Sequence, residues 1–119
     1  MKITDQRRRD LLCAALDPGY GGSYYWCAFD GTEVRKHSNE TYITDAILAA
    51  VKKGVSIKVV DIENPEKVGV ITYEGMKKGE ALMQSKHPYH WADIVAGNED
   101  STTGDVWLQY AIFGEIIYG

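Results

Sequence analysis

The chain has 119 residues, 45% of them hydrophobic, which suits one ordinary domain with a real core and is too short for two independent ones. Its formal net charge is −4 and, apart from Arg7-Arg8-Arg9, its basic residues are scattered, so no basic stripe exists to neutralise a phosphate backbone and no long nucleic acid is expected as a partner. The longest apolar run falls far short of the roughly 20 residues that a membrane span requires, and no membrane partner is expected either.

Ile3, Leu11, Leu12, Ala15 and Leu16 recur at near-helical spacing behind Thr4, and Pro18-Gly19 breaks the pattern, which predicts a first helix over 3–16. Gly19-Tyr20-Gly21-Gly22-Ser23 reads as a flexible turn. The aromatic run Tyr24-Tyr25-Trp26-Cys27-Ala28-Phe29 then reads as a strand, or as a short helix capped by Ser23, up to Asp30-Gly31. A second helix is announced by Thr44 as cap, by Ile47, Leu48 and Val51 as an apolar stripe, and by Lys52-Lys53 before Gly54. Residues 55–62 and 68–73 alternate in the β manner around Glu63-Asn64-Pro65-Glu66-Lys67, a hairpin with a five-residue turn.

From Gly75 helix formers return until Pro88, and a short helical turn from Tyr89 to Val95 stops at Gly97-Asn98. Thr102 and Asp105 approximate a capping box for a last helix carrying Val106, Leu108, Tyr110, Ile112, Phe113 and Ile116. Apolar residues cover more than one face of this helix, which places it either at the centre of the core or against another subunit. The expected fold is α+β: a single domain over residues 1–119 in which a β-hairpin or antiparallel sheet is packed by three to four helices.

Cys13 and Cys27 lie in apolar or aromatic segments, and the chain runs directly into Asp5-Gln6-Arg7-Arg8-Arg9-Asp10, unlike a secretion signal, so a reducing, cytoplasmic location is expected. His37, His87 and His90 do not combine with these cysteines at zinc-ligand spacing, because Pro88 interrupts the histidine pair and neither cysteine has a near partner; no metal and no cofactor is expected. Ser23, Cys27, His90 and Asp93 are nucleophile and base candidates without the context of a nucleophile elbow. Gly19-x-Gly21-Gly22 lacks the spacing of a phosphate-binding loop.

Three clusters suit recognition better. Ser23-Tyr24-Tyr25-Trp26 offers ring faces, each worth roughly 1–3 kcal/mol to a stacked base, although the same rings could simply fill the core. His87-Pro88-Tyr89-His90-Trp91-x-Asp93 presents imidazoles, rings and a carboxylate on a proline-fixed turn, with His90 and Asp93 at hydrogen-bonding spacing if helical. Asn98 to Asp105 is polar at every position at a helix start, and its carboxylates either cap that helix or accept hydrogen bonds from sugar hydroxyls.

Two stretches carry a resemblance: Asp10-Leu11-Leu12 with Gly21-Gly22-Ser23-Tyr24-Tyr25-Trp26, and Asp100-Ser101-Thr102-Thr103-Gly104-Asp105-Val106-Trp107-Leu108-Gln109 running into Phe113-Gly114-Glu115-Ile116-Ile117-Tyr118-Gly119. They resemble a widespread family of small proteins of tailed bacteriophages and prophages. The match covers the two chain ends and leaves residues 30–86 without a counterpart. The resemblance implies a phage origin and expression in the host cytoplasm, and it assigns no catalytic residue. By analogy it points to anti-defence proteins, among them the homo-oligomeric sponges that sequester nucleotide-derived immune signals of Thoeris or CBASS systems.

The resulting expectation is a non-enzymatic homo-oligomer that binds a small nucleotide-type signal of the cyclic ADP-ribose or cyclic dinucleotide class. Tyr24, Trp26 and Trp91 would stack, His90 and Arg35 would meet phosphate, and Asp100, Thr103 and Asp105 would meet ribose hydroxyls. The alternatives are an acidic protein–protein inhibitor of a host defence enzyme and, third, a hydrolase built on His90 and Asp93.

Overall fold

In the computed structural model, which describes residues 3–18 and 20–119, Thr4 opens the first helix by accepting a hydrogen bond from the Arg7 N–H at 3.2 Å. Helix α1 (Asp5–Leu16) turns Leu11, Leu12, Ala15 and Leu16 inward, all of them buried. Gly19 of the expected turn lies outside the described residues. Beyond it the chain folds back along the end of α1, where the N–H groups of Gly22 and Ser23 donate to the Ala14 and Ala15 carbonyls at 2.8 and 2.9 Å.

The choice between strand and helix for residues 24–29 resolves by division. The Ser23 carbonyl accepts from the N–H groups of both Trp26 and Cys27, closing a tight turn, and only β1 (Cys27–Phe29) is extended. Asp30 then caps a helix that hydrophobic spacing did not reveal, α2 (Gly31–Arg35), by accepting from the Thr32 and Glu33 N–H groups. Helix α3 (Ile43–Lys52) begins two residues earlier than expected. Thr44 does not cap it: Thr44 lies buried in its first turn with its hydroxyl 3.3 Å from the Cys13 thiol, and Tyr42 stands at the cap with no side-chain hydrogen bond.

The hairpin forms as β2 (Ile57–Asp61) and β3 (Val68–Ile71), with the Asp61 carboxylate accepting from the Glu63 and Asn64 N–H groups to start the turn. With β1 the strands make an antiparallel sheet in the order β1-β2-β3. Alternation sends Cys27, Ile57, Val59 and Ile71 to the buried face and leaves Ala28, Lys58, Val60, Val68 and Val70 on the other.

Helix α4 (Tyr73–Lys86) is capped by Thr72, α5 (Pro88–Ala96) ends at the left-handed Gly97, and α6 (Ser101–Phe113) is capped by Asp100 rather than Thr102. Residues 103–111 of α6 are all buried, because α1 and α4 flank it and α5 and β3 close the remaining sides. Its apolar surplus is thus absorbed within one chain, and of the two placements open to this helix it takes the centre of the core. The fold is a small α+β domain with six helices among the described residues, where three to four were expected; α2 and a full-length α5 account for the difference. No helix is long and apolar enough to cross a membrane.

One buried ionic network ties three helices together. Arg8 of α1, 7% exposed, donates to both oxygens of Glu80 on α4 at 2.9 and 2.7 Å, and the Trp107 indole N–H of α6 donates to Glu80 Oε2 at 3.1 Å. The bidentate fork and the third donor satisfy a carboxylate that burial alone would penalise.

Candidate functional site

Two of the residues expected to meet a ligand, Trp26 and Asp105, are engaged with each other inside the protein. Asp105 is a buried acceptor for three side chains: the Ser23 hydroxyl and the Trp26 indole N–H both donate to Oδ1 at 2.7 Å, and the Tyr25 hydroxyl donates to Oδ2 at 2.9 Å. Two close approaches make this possible. A Cβ on Gly22 would lie 1.8 Å from the Ser101 carbonyl oxygen, and one on Gly104 would lie 2.7 Å from Ala14 Cβ, so only glycine lets the returning chain and α1 reach α6. Trp26 is 2% exposed, and its other partner is Tyr118, whose ring stacks on it at 4.6 Å while its hydroxyl donates to Asp61 at 2.6 Å. Gln109 holds that C-terminal segment by accepting from the Ile117 and Tyr118 N–H groups at 2.9 and 2.8 Å.

Asp100, Thr103 and His90 also meet, but as a helix start. Asp100 accepts from the Thr103 N–H at 2.8 Å, which holds its carboxyl below the usual carboxylate range, and the buried Thr103 hydroxyl lies 3.2 Å from His90 Nδ1. The expected hydrogen bond between His90 and Asp93 does not form, because the His90 ring is turned toward α6 rather than along its own helix. Trp91 is 6% exposed and offers no open face for stacking. Tyr24, 55% exposed, is the one ring of the expected set that remains open to solvent. No group of three metal-ligating side chains is assembled among the described residues.

Arg35 stands apart from the rest of the expected set, in a cleft of about 390 Å³ between the ends of α1 and α2 and the start of α3. Its guanidinium donates to the Glu40 and Thr41 carbonyls at 2.8 and 3.0 Å and has no ion-pair partner among the described residues, so the side chain is fixed while its charge is left uncompensated. The uncapped first turn of α3, with Tyr42 and Thr44, forms one wall, and Arg9, Cys13 and Asp17 form the other. Arg9 pairs with Asp45. Tyr42 is 65% exposed.

A larger cleft of about 640 Å³ lies between α2 and the outer face of the sheet, with Ala28, Val34, Ile57 and Val60 as apolar lining and Asp30, Glu33, His37 and Lys58 among its polar groups. Two carboxylates at this cleft oppose an anion. Comparison with family models, with curated proteins and with solved structures finds no match to the chain.

The clefts were hidden from sequence reasoning for a definite reason. Arg9, Cys13 and Asp17 follow one another at helical spacing on α1 and its C-cap, but Arg35 and Tyr42 come from other elements and no spacing links them to that row. Two local signals could have pointed to the Arg35 cleft: a helix start without a Ser, Thr, Asp or Asn at the cap, and an arginine outside any i to i+4 acidic pairing.

Proposed function

We propose that this chain is a non-enzymatic binder of a small nucleotide-type ligand and that the cleft around Arg35 receives it. The observation that carries the reading is the uncompensated guanidinium, fixed by two main-chain carbonyls beside the open first turn of α3. Free N–H groups and the positive end of the helix dipole favour a phosphate there, and the guanidinium adds charge-assisted hydrogen bonds. Asp17 stands where it can accept from ribose hydroxyls, and the exposed Tyr42 ring offers a stacking face for the base. In this reading Arg35 keeps its expected role as the phosphate contact, while Tyr42 takes over the stacking that Trp26 and Trp91, buried in the core, do not offer. Sequestration of an immune signal of the cyclic ADP-ribose or cyclic dinucleotide class is the physiological form of the proposal.

Isothermal titration of the whole chain against cyclic ADP-ribose isomers and cyclic dinucleotides tests it. Binding at micromolar or tighter affinity to one set, weakened about tenfold or more by Arg35→Ala with an unchanged circular dichroism spectrum, is the expected result. Cys13 lies in the cleft wall, so the bound ligand slows its alkylation. Silence across both ligand sets, or an Arg35→Ala variant that binds as well as wild type, overturns the assignment.

A further inference from the structure

A second guanidinium lines the Arg35 cleft. Arg9, Cys13 and Asp17 stand at successive i to i+4 positions on α1 and its C-cap, with Arg9 at one end of the row and Asp17 at the other. At 1.5 Å of rise per residue the two charges are about 12 Å apart. The Arg9 side chain is 42% exposed, and its Nε donates to the Asp45 carboxylate in the first turn of α3. That bond fixes the guanidinium through one nitrogen, and among the described residues nothing accepts from its Nη1 or Nη2. Arg35 is held in a similar manner by the Glu40 and Thr41 carbonyls, just ahead of α3. Helices α1 and α3 run antiparallel, since Thr44 meets Cys13, Asp45 meets Arg9 and Lys52 meets Asp5. The anchor of Arg9 therefore lies further along α3 than the anchors of Arg35.

We infer that the ligand carries a diphosphate, one phosphate on Arg35 and the next on Arg9, and that Arg9 is the residue selecting it; this rests on the Arg35 cleft being the ligand site. The anchors at Thr41 and Asp45 are about one helical turn apart, roughly 5 Å along the axis. That is too far for one phosphate to meet both forks squarely, and it suits two phosphates joined through an oxygen. Planar guanidiniums with paired N–H donors favour phosphate oxygens over other acceptors. One carboxylate on Arg9 and none on Arg35 leave the pair with positive charge to spare. Asp17 sets the orientation, because at the far end of the row it repels phosphate and accepts from hydroxyls. The diphosphate lies toward Arg9 and the sugar toward Asp17. Phosphodiesters set apart from one another, as in a cyclic dinucleotide, do not offer two adjacent phosphates to this pair.

Isothermal titration of the whole chain with ADP and with AMP reads the outcome. The wild type is expected to bind ADP about tenfold or more tightly than AMP. Arg9→Ala and Arg9→Gln are each expected to bring that ratio close to one, and Arg35→Ala to weaken both nucleotides. Arg9 is partly exposed, and an unchanged circular dichroism spectrum confirms that each variant folds. Equal affinity of the wild type for the two nucleotides, silence toward ADP, or a preference for ADP that survives both Arg9 variants overturns the inference. None of these results touches the Arg35 cleft itself, which stands or falls on the cyclic ligands and their response to Arg35→Ala.

Discussion

Removing the Asp105 carboxylate should damage the fold by an amount that the geometry sets in advance. Ser23 and Trp26 bury their donors, at 0% and 2% exposure, and both donate to Oδ1. A buried donor left without its acceptor costs about 1–3 kcal/mol, so Asp105→Ala strands two donors and is expected to cost about 2–6 kcal/mol. Tyr25 adds little, because it is half exposed and its hydroxyl can turn to water. A domain of this size holds about 5–15 kcal/mol in total, so the alanine variant is expected to be marginal at room temperature. Asp105→Asn keeps the oxygen that serves both Ser23 and Trp26 and loses only the charge assistance, for about 1–2 kcal/mol. Urea unfolding followed by tryptophan fluorescence separates the two cases. An alanine variant destabilised by less than about 1 kcal/mol, or an asparagine variant as unstable as the alanine one, would refute the view that Asp105 serves as an internal acceptor.

Burial pushes the Asp5 carboxyl up, but Lys52, the Tyr73 hydroxyl and Arg8 together outweigh it and bring the group down to about 2 from its ordinary 3.8. A depressed carboxyl contributes stability above its ordinary pKa and loses it on acidification, so stability should fall between about pH 4 and pH 2. Urea midpoints across that window should slope less steeply in Asp5→Asn, and equal slopes would remove Asp5 as a source. Burial, followed by the field of Asp105, pushes the Cys27 thiol up to about 12, so iodoacetamide at neutral pH should label the half-buried Cys13 in the native protein and reach Cys27 only on unfolding. Equal labelling rates in the folded state would contradict the packing of β1.

The elements legible in the sequence are those with a local cause. Thr4 before a helical stripe, the alternating hairpin strands and the left-handed Gly97 each announce their element within a few residues, and each stands where expected. Helix α2 was missed because it has five residues and one buried side chain, Val34, too few for a period to show. Thr44 and Thr102 were misread as caps because both are good capping residues, and the choice among neighbouring candidates depends on tertiary partners, Cys13 in the case of Thr44. Trp26 reads as a possible stacking ring because it stands in a run of consecutive aromatics just behind a glycine turn. Its partner Asp105 lies 79 positions away in sequence, and no local pattern reveals that pairing.

The two chain ends, residues 10–26 and 100–119, meet in space, and this bears on where function can reside. Gly22, Ser23 and Trp26 from one end close on Gly104, Asp105, Phe113 and Tyr118 from the other, through glycine approaches, shared acceptors and ring contacts. A carboxylate already taking three donors and an indole N–H already given to it have little capacity left for a ligand. Such ends specify a frame. Polar groups with unused capacity lie elsewhere: among the described residues Arg35 and Lys58 have no ion-pair partner, and the first turn of α3 is open. All of them fall between residues 30 and 58, outside both ends. If the proposed ligand cleft is the recognition surface, a frame built from the ends and a surface built from the middle lets binding specificity change without cost to the core. Chains that share these end sequences but differ over residues 30–58 are therefore expected to keep the Asp105 lock and its response to Asp105→Ala while binding different ligands.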